Sequence, residues 1–206
     1  SLSLSRALSL SLSRPTDRPT ALGLSVSRSL GLSVSLTVRA SFSQGKVYCR
    51  WFEGGVTNIC YNAIDRHLAT KKDEPCMIYV GNDGETTTLT WGQLHAQVCK
   101  FANVLKSHGI GKGDRVAVYM PMVLELPISM LACARIGAMH SVVFGGFSAE
   151  ALAQRIVHSG SKLLVTADGV MRATKFVELK SIADAAMAMC AEQGNPINKC
   201  IVYERK

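Results

Sequence analysis

The sequence predicts an α/β fold: a parallel β-sheet built from a βαβαβαβ run with helices on its faces, preceded by a helix and a β-hairpin. Three observations predict it. From Asp114 onward, short apolar runs of strand length alternate with longer segments of helical spacing. The short runs are apolar at both odd and even positions, as parallel strands covered on both faces require. Glycine and polar turn residues stand at each change of pattern. Right-handed crossovers then put the strands in one sheet.

The first 45 residues stand apart. They are a low-complexity tract of Ser, Leu and Arg, with prolines at 15 and 19. The Leu/Ser alternation has period two, which suits a strand and gives no amphipathic helix. The composition is read as a disordered tail without packed structure. A mitochondrial transit segment is the alternative, because the tract is rich in Arg and Ser and poor in acids. Residues 46–206 are read as the folded part.

Order is expected from "YCRWFEGGVTNICYNAIDRHLATKK", with Gly54 and Gly55 as a turn. From Asn58, helical spacing puts Ile59, Ala63, Ile64 and Leu68 on one face. "CMIYVGNDGETTTLTW" reads as a hairpin turning at "NDG". Thr90 opens the next helix with Gln93 at capping-box spacing. Leu94, Val98, Phe101, Ala102 and Leu105 form its apolar stripe, and Gly109 closes it as a C′ glycine. "RVAVYM", "HSVVF", "KLLVTAD" and "CIVYER" are the four parallel strands. "LELPISMLACARIGA", "SAEALAQRIVHSG" and "VELKSIADAAMAMCAEQG" are the three helices between them. The sequence stops at Lys206 just after a strand, which is expected to leave an unpaired sheet edge, as in a chain that is cut off.

Composition narrows the function. The formal charge is +8, but residues 1–50 hold six Arg and one Lys against Asp17 alone, so only +2 remains for the rest. A nucleic-acid partner or a membrane surface is therefore not expected for the folded part. No segment approaches the roughly 20 apolar residues of a membrane span. The seven cysteines are odd in number, without a CxxC pair, and read as reduced intracellular thiols that mostly fill the core.

Little in the sequence carries chemistry by itself. "GIGKGDRV" lacks the Ser or Thr of a nucleotide loop and reads as a helix cap and turn. Histidines 67, 95, 108, 140 and 158 show no metal-ligand spacing, and no Ser sits in G-x-S-x-G. Two loops remain. "HSVVFGGFSAEAL" runs from a strand through Gly145 and Gly146 into a helix, an arrangement that exposes amides to an anion. "ADGVMRATKFVELK" follows the third strand and carries Arg172 and Lys175, three apart, so that both point one way if the loop turns into the helix. Both loops fall at the C-terminal edge of a parallel sheet, where ligands of α/β folds bind. Two cations beside exposed amides make a phosphate grip.

"WFEGGVTNICYNAIDRH", "GKGDRVAVYMPMVLELPISMLACARIGAMHSVVFGGFSAEALAQRI" and "LVTADGVMRATKFVELK" closely resemble the N-terminal region of AMP-forming acetyl-CoA synthetases. These belong to the adenylate-forming superfamily, with the acyl-CoA ligases and luciferases. The resemblance runs from about Lys46 to Lys206, and "TNICYN" and "CKFANVLKSHGI" are closer in wording to the cytosolic animal enzymes. It implies the N-terminal part of that family's large domain. It implies an acetate–CoA ligase that first makes acetyl-AMP and diphosphate from ATP and acetate, then lets coenzyme A displace AMP. Propionate–CoA ligases share these motifs and are the alternative, as is a non-catalytic fragment that binds coenzyme A or a partner. By resemblance, Phe144, Gly145 and Gly146 form the turn lining the coenzyme A site. Arg172 and Lys175 are its basic loop, Arg172 reaching the nucleotide's phosphates. Some relatives have Arg where Lys175 stands. The family's ATP loop, acetate pocket, hinge aspartate and catalytic lysine lie further along than these 206 residues. No catalytic residue or metal ligand is therefore assigned; ATP and Mg²⁺ belong to the complete enzyme, and the chain alone is expected to be inactive. The resemblance implies a cytoplasmic place, with the nucleus in addition or the mitochondrial matrix as alternatives.

Overall fold

In the computed structural model, residues 21–27, 33–41, 48–53, 55–172 and 174–205 are described. They fall into two units, which divide between Val56 and Thr57 and not at residue 45. In the first unit, β1 (Ala21–Ser27), β2 (Ser33–Ser41) and β3 (Tyr48–Glu53) form an antiparallel sheet in that order. Part of the tract expected to lack packed structure is thus paired. The period-two alternation explains the pairing: the register sets Leu22 opposite Val38, Leu24 opposite Leu36 and Val26 opposite Val34, with Ser25 opposite Ser35 between them. Residues 1–20 of the tract, and Gly54 of the expected turn, lie outside the described residues.

The second unit opens with α1 (Ile59–Ala63), a single 3₁₀ turn (Asp65–His67) and α2 (Leu68–Lys71). Asn58 caps α1 by accepting from the Tyr61 N–H at 3.2 Å, and its Nδ2 donates to the Ala134 carbonyl at 2.8 Å. This double attachment sets the helix rotation. Cys60 and Ile64 are buried, whereas Ile59, expected on the inner face, is 72% exposed. The hairpin of β4 (Pro75–Val80) and β5 (Thr86–Thr90) follows as expected, with Gly84 at φ +83° in its turn. In α3 (Trp91–Ser107) the Thr90–Gln93 capping box is present in both directions. Its stripe of Leu94, Val98, Ala102 and Leu105 is buried, and Gly109 at φ +82° follows its end.

The parallel sheet is built from β6 (Arg115–Met120), β7 (Met139–Phe144), β8 (Leu163–Ala167) and β11 (Cys200–Tyr203) in the order β11-β8-β6-β7. The helices α4 (Glu125–Ile136), α5 (Ala149–Ser159) and α6 (Leu179–Glu192) supply the crossovers. Alternate strand residues enter different cores. Val116, Val118, Met120, Leu163 and Val165 pack with α3 and α4. Ala117, Tyr119, Val143, Leu164 and Ala167 pack with α5 and α6. The strands are not uniformly buried, however. β8 is buried throughout, while β7 lies at the sheet edge with Met139, Val142 and Phe144 exposed. Among the described residues no helix is long and apolar enough to cross a membrane.

A second departure concerns the loop after β8. It contains two strands, β9 (Val170–Arg172) and β10 (Lys175–Val177), paired antiparallel. Three-residue strands carry too little periodicity to be visible in sequence.

The N-terminal helical segment is tied to α4 by an ion pair. The Arg135 guanidinium grips Asp65 in bidentate fashion, at 2.8 and 2.7 Å, and its Nη1 also donates to Cys60 Sγ at 3.2 Å. The hydrogen bonds from Arg135 hold the Asp65 carboxyl below its ordinary value. A depressed carboxyl stabilises the fold above its unfolded pKa, and that contribution is lost as pH falls through the folded one. Arg135→Ala should cost about 2 kcal/mol at neutral pH by urea denaturation. The stability advantage of wild type over Asp65→Asn should be full at pH 7 and shrink below about pH 4. An advantage that stays constant down to pH 2.5 would contradict this assignment.

Candidate functional site

The C-terminal sheet edge is shaped by the pairing of β6 with β7. Met120 and Phe144 are parallel partners, so both strands end at one level. The chain then turns back at once: the Gly146 N–H donates to the Phe144 carbonyl at 2.8 Å, and the Phe147 N–H reaches it at 3.2 Å. Gly145 is pressed against the end of β6. A Cβ there would lie 3.0 Å from the Met120 carbonyl oxygen and 3.1 Å from its carbon. This close backbone approach favours glycine at 145, with no need of a left-handed conformation. Tyr119, fully buried, fixes the far side of the turn by donating its hydroxyl to the Phe147 carbonyl at 2.8 Å. Ser148 then caps α5, its hydroxyl accepting from the Ala151 N–H at 3.4 Å.

The basic loop reaches this turn from β9. Arg172 and Lys175 are directly opposite in the β9–β10 ladder. Their proximity was expected from a turn into helix; cross-strand pairing produces it instead. The Arg172 guanidinium lies 5.4 Å from the centroid of the Phe144 ring. It also fills the space above Gly146, where a Cβ would come 2.5 Å from its Nη2. Burial pushes the Tyr119 phenol up, and the Arg172 charge opposes that shift. Phe144, Gly145, Gly146 and Arg172 therefore converge. Lys175 stands exposed beside Arg172, and among the described residues no ion pair holds it. Among the described residues neither cation is paired with a carboxylate.

Phe144, Gly145 and Arg172 line a cavity of about 140 Å³ together with Tyr79, Met171 and Arg205. Asn82 and Arg205 border both this cavity and an adjoining one of about 300 Å³. Neither residue was singled out from sequence. Asn82 carried the signal of a hairpin turn, and Arg205 that of a strand end. Asp168 helps assemble the wall: Oδ1 accepts from the Gly169 N–H at 2.7 Å and Oδ2 from the Arg205 N–H at 3.1 Å.

An open guanidinium over an aromatic ring, beside a turn held against the sheet, suits an anion that carries a flat group. Among the described residues, no three His, Cys, Asp or Glu side chains converge as a metal site would require.

Comparison with known proteins agrees with this architecture. The chain is 52% identical over 158 residues to an acetyl-coenzyme A synthetase of Thiobacillus denitrificans, covering 77% of this chain and 24% of the relative. It is 53% identical over 166 residues to one of Photobacterium profundum, covering 80% and 25%. A Drosophila melanogaster acetyl-coenzyme A synthetase is 50% identical over 165 residues, covering 79% and 25%. The chain thus spans about a quarter of the length of these curated relatives. The family described as AMP-binding enzyme matches residues 64–205, which take in the whole parallel sheet, the glycine turn and the basic hairpin, and the chain belongs to that family.

Proposed function

We propose that the chain supplies the coenzyme A-binding edge of an acetate–CoA ligase, the enzyme that converts ATP, acetate and coenzyme A to acetyl-CoA, AMP and diphosphate. The observation that carries this reading is the placement of Arg172. Its guanidinium is exposed, free of carboxylates among the described residues, and held over Phe144 at the glycine turn. A nucleotide with phosphates has both an anion for the guanidinium and a ring for the apolar wall. The relatives' names, acetyl-coenzyme A synthetase, support the choice of acetate and coenzyme A as substrates. In this reading Arg172 holds phosphate bidentately and Lys175 adds a point charge beside it. ATP and Mg²⁺ serve the first step through residues beyond this segment.

Titration of the chain with coenzyme A tests the proposal. Arg172→Ala should weaken binding roughly tenfold to a hundredfold, because a charge-assisted contact to phosphate is lost. Arg172→Lys should recover part of the loss, since the ammonium keeps charge without the planar fork. Unchanged affinity in Arg172→Ala would sink the reading.

The two glycines should respond differently to alanine. Gly145→Ala meets rigid backbone at Met120 and should destabilise the fold by about 1–3 kcal/mol. Gly146→Ala meets only the far end of Arg172, which can swing away. Its melting temperature should stay close to wild type while coenzyme A binding weakens. Equal loss of stability in both variants would contradict the described geometry.

A further inference from the structure

We propose that Asn82, at the tip of the β4–β5 hairpin, is a positioning residue for Arg172, and that its bond to the β9 backbone sets how well Arg172 meets phosphate. The inference rests on the reading that Arg172 grips the phosphates of coenzyme A.

Among the described residues, no hydrogen bond or ion pair anchors the Arg172 side chain. Its guanidinium is located by the Phe144 ring and by the backbone that carries it. That backbone is the β9–β10 hairpin of three residues per strand, and an isolated two-stranded ribbon is marginal in water. Support must come from outside. At its base, Phe176 packs against Gly169, and Asp168 accepts from the Gly169 N–H. Nearer the cation, the Asn82 side-chain amide donates to the Met171 carbonyl at 3.1 Å. Met171 immediately precedes Arg172, so this bond fixes the strand one residue from the guanidinium's own Cα.

The donor is itself held firmly. The Gly81 N–H donates to the Glu85 carbonyl at 2.7 Å, and the Gly84 N–H donates back to Gly81 at 3.1 Å. Asp83 accepts from the Glu85 N–H at 3.2 Å. Asn82 thus projects from a closed turn across to a segment 89 residues further along. A turn asparagine needs no such partner for turn formation, since Asn favours turns through local backbone bonds. The long-range bond therefore ties the β9 strand to the hairpin tip. Asn82 also borders the cavity that contains Arg172, so direct contact with ligand is the competing role.

A double-mutant cycle on the full chain separates these roles. The probes are adenosine 3′,5′-bisphosphate and adenosine, titrated calorimetrically. The readout is the ratio of their affinities, which isolates the phosphate contribution and is not moved by a general loss of fold. Wild type should prefer the bisphosphate, and Arg172→Ala should cut that preference tenfold or more. Asn82→Ala should cut it about threefold to tenfold, the scale of one neutral hydrogen bond. The double variant should match Arg172→Ala within about twofold, because Asn82 acts only through Arg172. Asn82→Leu has a similar shape without the donor and adds no charge, and should lose about as much as Asn82→Ala; it carries the test if Asn82→Ala folds poorly. A wild-type ratio in the Asn82 variants, or losses that add in the double variant, would overturn the inference while leaving Arg172 in place. Insensitivity of the ratio to Arg172→Ala would instead overturn the coenzyme A reading, and the inference with it.

Discussion

Strand β6 is the constraint on which the remaining architecture depends. It is hydrogen-bonded on both edges, to β7 and β8, and buried on both faces. Its odd and even residues belong to different cores, so a slip of one residue would exchange Val116, Val118 and Met120 with Ala117 and Tyr119 and empty one core while overfilling the other. The register is therefore tightly specified, and the register with β7 determines what happens beyond the sheet. Because Met120 and Phe144 end together, residue 145 passes the Met120 carbonyl so closely that a side chain would crowd it. Tyr119 links the same constraint to the other side of the turn: its ring fills the core under α5, while its hydroxyl holds the Phe147 carbonyl. Packing and site geometry are consequences of one strand.

Charge is used sparingly and at the periphery of this core. Arg115 bonds the Ser159 and Gly160 carbonyls, each at 2.9 Å, so a cation satisfies the C-terminus of α5. Arg135 joins α4 to the segment around Asp65 and Cys60. Burial is the larger influence on the thiols. Burial pushes Cys133 up to about 11 and raises Cys60, Cys190 and Cys200, so none of these four is a reactive thiolate at neutral pH. In Cys60 the nearby Arg135 works against burial without overcoming it. Of the six described free cysteines, Cys60, Cys133 and Cys190 fill the core as expected, whereas Cys76, Cys99 and Cys200 are only partly buried.

The parallel sheet and its helices were legible because each signal there is long and repeated. The α3 stripe, the Thr90–Gln93 box and the Gly109 cap all point to one helix, and the structure forms it. Readings failed where a single contact outweighed a pattern. Ile59 had the right spacing for a buried face, but Asn58 bound to Ala134 turned the helix so that Cys60 and Ile64 enter the core. Exposure of Met139 and Val142 follows from the place of β7 at the edge, which periodicity does not encode. The glycine turn and Arg172 were visible because parallel topology gathers loops at one edge. Asn82 and Arg205 were not, since no local spacing relates them to a turn so distant in sequence.

The candidate site combines a rigid half with an adjustable half, and the two glycines mark the division. Gly145 faces backbone that cannot move without disturbing β6, whereas Gly146 faces the end of a flexible side chain. Under the proposed function, such a site loses little entropy in ordering its turn on binding, because the turn is already ordered by the sheet. What remains to be ordered is the guanidinium. A ring beneath it and a fixed backbone beneath the ring reduce the number of rotamers it samples, and that matters more for Arg than for Lys because a planar fork must meet two oxygens at once. Lys175, opposite in the ladder but away from the ring, lacks this restriction. The structure thus places the directional cation where orientation is controlled and the non-directional one where it is not.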